Sequence, residues 1–279
     1  MRGKLNRVSL LAAVVAMLSA VGAAQAVTID LVTVGNPGNA GDSRSDGYGA
    51  VDYVYAIGKY EVTTAQYVEF LNAVAKNDTY GLYNTYMWSS DYGCKIQQSG
   101  SSGNYEYSVA AERANRPVNF VSWGDAARFA NWLHNGQPTG LQDLTTTEDG
   151  AYYLNGATTD SALMAVTCKA AAKWWIPRVN EWYKAAYHQN DGVTGNYWTY
   201  PTGTDIDPSN QLLDPDPGNT VNCLGWDESY TLGSPCWTTE VGAFENSASP
   251  YGTFDQGGNV WEWNETAIGS GRGVCWFSG

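Results

Sequence analysis

The chain has 279 residues, with 28 acidic side chains against 15 lysines and arginines and a formal net charge of −13. This balance argues against nucleic acid and anionic membranes as partners, because phosphate binding needs clusters of basic residues. The 12 tryptophans, 19 tyrosines and 31 glycines predict a large aromatic core set among many turns and loops.

The first predicted element is an export signal. Three basic residues precede a mainly apolar run over residues 8–22, and residues 24–26 read Ala-Gln-Ala, a small-x-small cleavage pattern. Residues 1–26 are therefore predicted to be a signal peptide. The alternative is a membrane anchor, which needs about 20 apolar residues, more than this run supplies. We expect a secreted, periplasmic or cell-surface protein with a single domain over residues 27–279 and no span after cleavage.

Short strands and long loops are predicted around three helices. Residues 27–34 and 51–62 alternate and are rich in β-branched and aromatic side chains, which is typical of strands. A third short strand is predicted over residues 117–121. Residues 77–115 and 137–172 are mostly loop, and residues 190–258 are irregular and rich in Gly, Pro, Asp and Asn.

Capping residues and apolar periodicity predict the helices. Thr63 with Gln66, and Ser122 with Asp125, form helix start signals, and a third helix follows Pro177. Each helix has apolar side chains on one face. These faces comprise Tyr67, Phe70, Leu71 and Val74; Ala126, Phe129, Ala130 and Leu133; and Val179, Trp182, Tyr183 and Ala186. Together these patterns predict an α+β domain.

The sequence has only two histidines and five cysteines. His134 and His188 lie near predicted helix ends, where their charge suits the helix dipole, and both are interpreted as structural. No CxxC motif occurs. An odd number of cysteines leaves at least one unpaired; Cys223 and Cys236, in one loop-like region, are the most plausible disulfide, and the full connectivity stays open. The five cysteines are Cys94, Cys168, Cys223, Cys236 and Cys275.

Four spaced aspartates occupy one irregular stretch. Such carboxylates can bind calcium, but the prolines among them break the EF-hand pattern. A solvated acidic loop is therefore the favoured interpretation. The aspartates are Asp205, Asp207, Asp214 and Asp216.

The stretch DQGGNVWEWNE, residues 255–265, places a glutamate between two tryptophans. On a strand Trp261 and Trp263 share one face, where both indoles are expected to be buried, and Glu262 points to the other. A carboxylate near the core needs compensation. Calcium could provide it, with an Asn259 amide oxygen and backbone carbonyls as further ligands. The alternative is hydrogen bonding to backbone amides or pairing with an arginine, and the residues alone favour that alternative.

Five separated segments occur in the order YEVTTAQYVEFLNAV, RPVNFVSWGDAARFANWL, WWIPRVNEWYKAAYH, TTEVGAFENSASPYGTFDQGGNVWEWNE and RGVCWFSG. Together they resemble the sulfatase-modifying factor, or formylglycine-generating enzyme, family. The resemblance covers roughly residues 50–279 and implies a C-type-lectin-like α+β fold with little regular structure. It also implies a calcium site that includes Asn259 and Glu262. A second family calcium site matches TVNCLGW at Asn222, although the aspartate expected downstream is not evident.

The resemblance also implies an enzymatic activity that can be compared with the residues present. Enzymes of the family oxidise a sulfatase cysteine to formylglycine, with oxygen and copper(I) held by two cysteines beyond the segment that RGVCWFSG matches. That pair is absent here, and Cys275 stands where the family usually has serine. No catalytic residue is therefore assigned, and copper is expected only if the pair exists.

Two explanations stay open for the missing pair. The chain is either a C-terminally incomplete record of a copper oxidase or a non-catalytic member of the family. We expect the second: an exported, calcium-stabilised binding module whose partner is a protein, a peptide or a glycan. A secreted lectin-like carbohydrate-binding module is a further alternative, since aromatic-rich loops suit sugar stacking.

Overall fold

The computed structural model describes residues 26–225, 227–268 and 271–275, with side chains as far as residue 267. The predicted signal peptide lies outside these residues apart from Ala26, and so does the side chain of Cys275. Within the described part of the chain, no helix is both long and apolar enough to cross a membrane.

Short elements alternate with long loops throughout the described ranges. The strands form three separate two-stranded antiparallel sheets, which pair β1 with β2, β3 with β4 and β5 with β6. This confirms an α+β fold with short antiparallel strands. In chain order the elements are β1 (Leu31–Val34), β2 (Tyr55–Gly58), α1 (Thr64–Val74), α2 (Tyr86–Ser89), β3 (Gln97–Ser99), β4 (Glu106–Ser108), α3 (Ala111–Ala114), α4 (Trp123–His134), α5 (Asp160–Met164), α6 (Val179–Tyr187), β5 (Glu262–Ile268) and β6 (Gly271–Cys275).

The three predicted helices are α1, α4 and α6. At the start of α1 the Gln66 backbone N–H donates to Thr63 Oγ1 (3.2 Å), and the Thr63 N–H donates to Gln66 Oε1 (2.8 Å), which completes the predicted capping box. Ser122 and Asp125 form the same reciprocal pair before α4. The other three helices, α2, α3 and α5, fall in segments predicted as loop, because four or five residues are too few to show a helical period.

The strand predictions are only partly right. Strands β1 and β2 lie inside the predicted ranges and pair in a register that sets Val34 opposite Tyr55. The strand predicted over residues 117–121 is wrong, since that segment forms a single isolated bridge between Thr63 and Pro117. Phe120 has a positive φ of 58°, which interrupts an extended chain.

Helices α1 and α4 build the main core. All four side chains of the predicted α1 face are buried, and the Tyr67 hydroxyl donates to the Leu82 carbonyl at 2.9 Å. The Phe70 ring lies 5.3 Å from Phe129 and 5.2 Å from Trp132, centroid to centroid. Edge-to-face and tilted aromatic pairs of this kind add about 0.5–1.5 kcal/mol each beyond the area they bury.

The opposite face of α4 buries an ion pair that the apolar pattern did not reveal. Arg128 Nε and Nη2 donate to the two carboxylate oxygens of Glu148 at 2.7 and 3.0 Å, and both side chains are only 2% exposed. Glu148 Oε2 also accepts from the Gly156 N–H (2.8 Å), and the guanidinium lies 4.5 Å from the Tyr80 ring centre. The pair therefore fastens α4 to the loop that follows it.

Two predictions about the loops need correction. Cys223 and Cys236 are free thiols; nearness in sequence does not supply the short Cβ separation that a disulfide requires, and each residue has other contacts. The solvated-loop prediction is wrong for Asp216, which is 3% exposed. Its carboxylate accepts hydrogen bonds from Thr220 and Ser247 hydroxyls and from backbone amides, and these donors compensate for its burial.

The Arg128–Glu148 pair yields a stability prediction. Glu148→Gln leaves Arg128 as a buried charge without an anionic partner and should lower the free energy of unfolding by about 3–5 kcal/mol. Urea unfolding followed by tryptophan fluorescence measures the change. Asp149→Asn is the control, because its ion pair with Lys169 is exposed and should be worth about 0–1 kcal/mol. Equal losses in the two variants would contradict the prediction.

Candidate functional site

An aromatic cleft of about 750 Å³ opens between the end of β2, helix α4, the segment that precedes α6, and residues 254–263. Its volume is that of a small-molecule binding site. Twelve aromatic side chains dominate the lining and make the walls largely apolar. They are Tyr60, Tyr67, Tyr92, Phe120, Phe129, Trp174, Trp175, Trp182, Trp237, Phe254, Trp261 and Trp263.

Three carboxylates form an acidic cluster at this cleft: Glu61 and Glu262 line it, and Asp255 adjoins it. The backbone N–H of Phe254 donates to the Lys59 carbonyl (2.9 Å), which brings the segment that carries Asp255 beside the segment after β2. Asp255 therefore lies near Glu61, and the charges of Asp255 and Glu262 both act on Glu61 despite their distance in sequence.

Burial in apolar surroundings raises the pKa of all three acids. It raises the pKa of Glu61 well above its ordinary value, with further contributions from the charges of Asp255 and Glu262. It raises the pKa of Asp255 to about 6, although the Gly242 N–H donates to its Oδ2 (2.6 Å). The pKa of Glu262 rises to about 7, mainly through burial and then through the charge of Asp255.

Glu61 is only half satisfied by the protein. Its Oε2 accepts from Asn259 Nδ2 at 3.1 Å, whereas its Oε1 is buried without any hydrogen-bond partner. The indole N–H of Trp237 is likewise buried without a partner. Both groups belong to residues that line the aromatic cleft, so the cleft holds one unmatched acceptor and one unmatched donor.

Asn259 joins this cluster to the neighbouring loop. Its Oδ1 accepts from the Thr239 backbone N–H (3.0 Å) and from Asn222 Nδ2 (2.9 Å), while its backbone N–H donates to the Asn222 carbonyl (2.9 Å). The chain turns tightly before it: a Cβ at Gly258 would lie 2.2 Å from the Asn222 carbonyl oxygen, so only glycine fits there. The structure thus brings together Asn222 and Asn259, which the family resemblance had assigned to two separate calcium sites.

Glu262 is placed by the start of β5, and its Oε2 accepts from the Trp182 indole N–H on α6. Trp263 is partly buried, and its indole donates to the Val121 carbonyl at 2.9 Å. The expectation that both tryptophans are buried is wrong for Trp261, which is 63% exposed at the mouth of the cleft. Trp261 precedes the strand, so strand alternation does not fix its direction.

The three side chains predicted to bind calcium do not form a preformed cage. Asn259 Oδ1 faces two N–H groups, Asn222 donates through its amide nitrogen, and Glu262 accepts from an indole. A calcium ion would have to replace these hydrogen bonds with oxygen contacts. Across the described ranges no group of three or more His, Cys, Asp or Glu side chains is arranged to hold a metal. Calcium at Asn222, Asn259 and Glu262 stays a prediction.

Neither histidine belongs to the cleft. The ring of His188 is buried, with Nδ1 2.8 Å from the Tyr251 hydroxyl, and His134 Nδ1 accepts from the Lys173 N–H (3.0 Å). These contacts agree with the structural interpretation of both residues. Sequence reasoning missed Glu61, Asp255 and Trp182 as site residues, because no local pattern places the end of β2, α6 and the Gly-Gly turn together.

The comparisons with known proteins give one family and two solved structures. A family model described as "Sulfatase-modifying factor enzyme 1-like domain" matches residues 49–276. No curated protein matches the chain. The structure titled "Crystal Structure of CarF" has 20% sequence identity and a TM-score of 0.43, covering 88% of this chain and 84% of that one. Treponema denticola variable protein 1 has 19% identity and a TM-score of 0.42, covering 86% and 75% respectively.

The raised pKa of Glu262 has a consequence for stability against pH. Between its ordinary value of 4.5 and about 7 the folded state keeps a proton that the unfolded state has lost, so stability falls as pH rises through this window. Glu262→Gln removes that loss and keeps an acceptor for Trp182. The variant should match the unaltered chain near pH 4.5 and exceed it by about 1–3 kcal/mol at pH 8.

Urea unfolding at several pH values measures this difference. Glu112→Gln is the matched control, because Glu112 is exposed and should leave the pH profile unchanged. A Glu262→Gln profile parallel to that of the unaltered chain would contradict the burial of this carboxylate.

Proposed function

The chain belongs to the sulfatase-modifying factor enzyme 1-like family, whose model matches residues 49–276. We propose that it acts as an exported, non-catalytic binding module that takes an apolar ligand of small-molecule size into the aromatic cleft. The observation that carries this proposal is the cleft itself, which is about 750 Å³ in volume and walled by twelve aromatic side chains.

The cleft has the composition of a binding site. Apolar walls supply affinity at roughly 25 cal/mol per Å² of surface removed from water. A small number of polar groups then fixes the orientation of a ligand. Here Glu61, Glu262, Asn119 and Gln256 are among the few polar residues of the lining. Several walls lie on or next to helices α4 and α6, which hold their rings in place.

The lining of the aromatic cleft gives less support to copper-dependent oxidation. Copper(I) prefers soft thiolate ligands. Carboxylates, amides and indoles are what the described lining of the cleft offers. Cys94, Cys168, Cys223 and Cys236 are free, and none of them lines the cleft. Burial raises the pKa of the Cys94, Cys168 and Cys223 thiols, which disfavours thiolate at neutral pH.

Export and calcium binding are further parts of the proposal. The basic head, apolar run and Ala-Gln-Ala site support export through residues 1–26. The family resemblance of the GNVWEW segment supports calcium at Asn259 and Glu262, with Asn222 next to them. In this role calcium stabilises the fold and takes no part in chemistry.

Ligand binding can be tested with N-phenyl-1-naphthylamine, a neutral apolar dye whose fluorescence rises in apolar sites. We expect the unaltered chain to bind it and Trp261→Ala to bind it about two- to tenfold more weakly, because one aromatic wall is lost. Trp261 is exposed, so its removal leaves the core intact.

The matched control is Trp88→Ala, which removes an exposed tryptophan that does not line the cleft. Equal affinity in the two variants, or no dye binding by the unaltered chain, would contradict the cleft as the binding site. Binding to a glycan array that the dye does not displace would favour the lectin-like alternative.

Calcium stabilisation is tested by thermal unfolding with calcium and with a chelator. Calcium at about 100 times its dissociation constant should add about 2.7 kcal/mol, because a ligand that binds only the folded state stabilises by mass action. Asn259→Ala should abolish the difference, whereas Asp214→Asn, in the exposed acidic loop, should preserve it. Identical unfolding in calcium and chelator, with no metal by elemental analysis, would overturn the proposal.

A further inference from the structure

We infer that the aromatic cleft selects primary amines on an aromatic body, with the ammonium group bound at Glu61. This inference rests on the proposed binding function and names the chemical class of its ligand. Four features support it: an unmatched acceptor, an acidic cluster that has no ion pair among the described residues, aromatic rings that already contact an ammonium group, and mostly apolar walls away from the proposed calcium ligands Asn259 and Glu262.

The unmatched acceptor is Glu61 Oε1. This atom is buried and has no hydrogen-bond partner, whereas Oε2 accepts from the neutral amide N–H of Asn259, and the Val260 backbone N–H also acts on the carboxylate. Native proteins rarely leave a buried carboxylate oxygen unpaired, because the lost hydration costs about 1–3 kcal/mol and more for a charged group. A ligand that brings an N–H donor to Oε1 recovers that cost.

The acidic cluster also has no cationic partner among the described residues. None of the ion pairs within 4.0 Å in the described part of the chain involves Glu61, Asp255 or Glu262. Their hydrogen-bond donors are all neutral, and they come from Asn259, Val260, Gly242 and Trp182. Three neighbouring carboxylates with only neutral donors are complementary to a cation.

Two aromatic rings of the cleft lining already contact a primary ammonium group. The Lys59 ammonium lies 5.0 Å from the centre of the Tyr60 ring and 5.3 Å from that of Phe254, and both rings belong to the cleft lining. This is cation–π geometry for a primary amine. Lys59 thus sits against these rings without pairing with the acidic cluster, which leaves the carboxylates available to a second ammonium group.

The walls away from the proposed calcium ligands suit an organic cation. Calcium takes six to eight oxygen ligands, whereas the lining away from Asn259 and Glu262 is mostly carbon and indole. An ammonium group needs at most three acceptors and tolerates π faces in place of oxygen. The apolar volume beyond Glu61 suits an aromatic ring attached to that ammonium group, stacked among Trp182, Trp261 and Trp263.

The test compares two probes that differ only in the polar group: 2-phenylethylamine, protonated at neutral pH, and neutral 2-phenylethanol. Calorimetric titration of the full chain should show at least tenfold tighter binding of the amine. Glu61→Gln should bring the ratio of the two affinities close to one by weakening the amine alone. Glu112→Gln, which alters an exposed carboxylate that does not line the cleft, should leave the ratio unchanged.

The outcomes separate this inference from the binding function on which it depends. Equal affinity for amine and alcohol, or dye binding without binding of either probe, overturns the ammonium site and leaves the cleft as a binding site. Absence of dye, amine and alcohol binding overturns both. Competition by calcium without amine binding assigns the acidic cluster to a metal and also overturns the inference. If Glu61→Gln fails to fold, the amine-to-alcohol ratio of the unaltered chain decides.

Discussion

The side chain of Asn259 is the contact on which the geometry of the cleft depends. Through one amide group it joins the loop at Thr239, the turn at Asn222 and the carboxylate of Glu61. These segments share no strand pairing, so backbone hydrogen bonding between regular elements cannot align them. Loss of this amide would free the acidic cluster from its neighbours and leave several buried polar groups unpaired, which is more costly than the loss of a single exposed hydrogen bond.

Polar side chains align loop segments elsewhere in the fold as well. With strands of three to seven residues in two-stranded sheets, much of the backbone must be satisfied by side chains. Asn131 illustrates this: its amide nitrogen donates to the carbonyls of Thr147 and Tyr152, and its oxygen accepts from the Tyr152 N–H. Buried Asp216 organises its own loop in a similar way. The hydrogen bonds of such side chains fix the conformation of the loops, as backbone hydrogen bonds between strands fix a sheet.

The cleft differs, because one of its buried carboxylate oxygens has no hydrogen-bond partner in the protein. This difference marks the cleft as a candidate site. Buried Arg128 and Glu148 pair with each other, and buried Asp216 accepts several hydrogen bonds, whereas Glu61 Oε1 in the acidic cluster has no partner. An arrangement that raises the pKa of three carboxylates costs stability at neutral pH. A bound cation, whether an ammonium group or calcium, would offset that cost, and the two occupants require different surroundings: rings for the first and oxygen atoms for the second.

The sequence alone determined the three longer helices, the capping boxes of α1 and α4 and the buried face of α1, because capping and helical periodicity act over a few neighbouring residues. On α6, Val179 and Tyr183 of the predicted face are only partly buried. It also indicated the family and the importance of the GNVWEW segment. Tertiary structure alone decided the remainder: the exposure of Trp261, the burial of Asp216, the free state of Cys223 and Cys236, and the meeting of Glu61, Asp255 and Glu262. These features depend on contacts between segments far apart in the chain, which leave no local pattern because each segment reads as an ordinary loop until its partner is beside it.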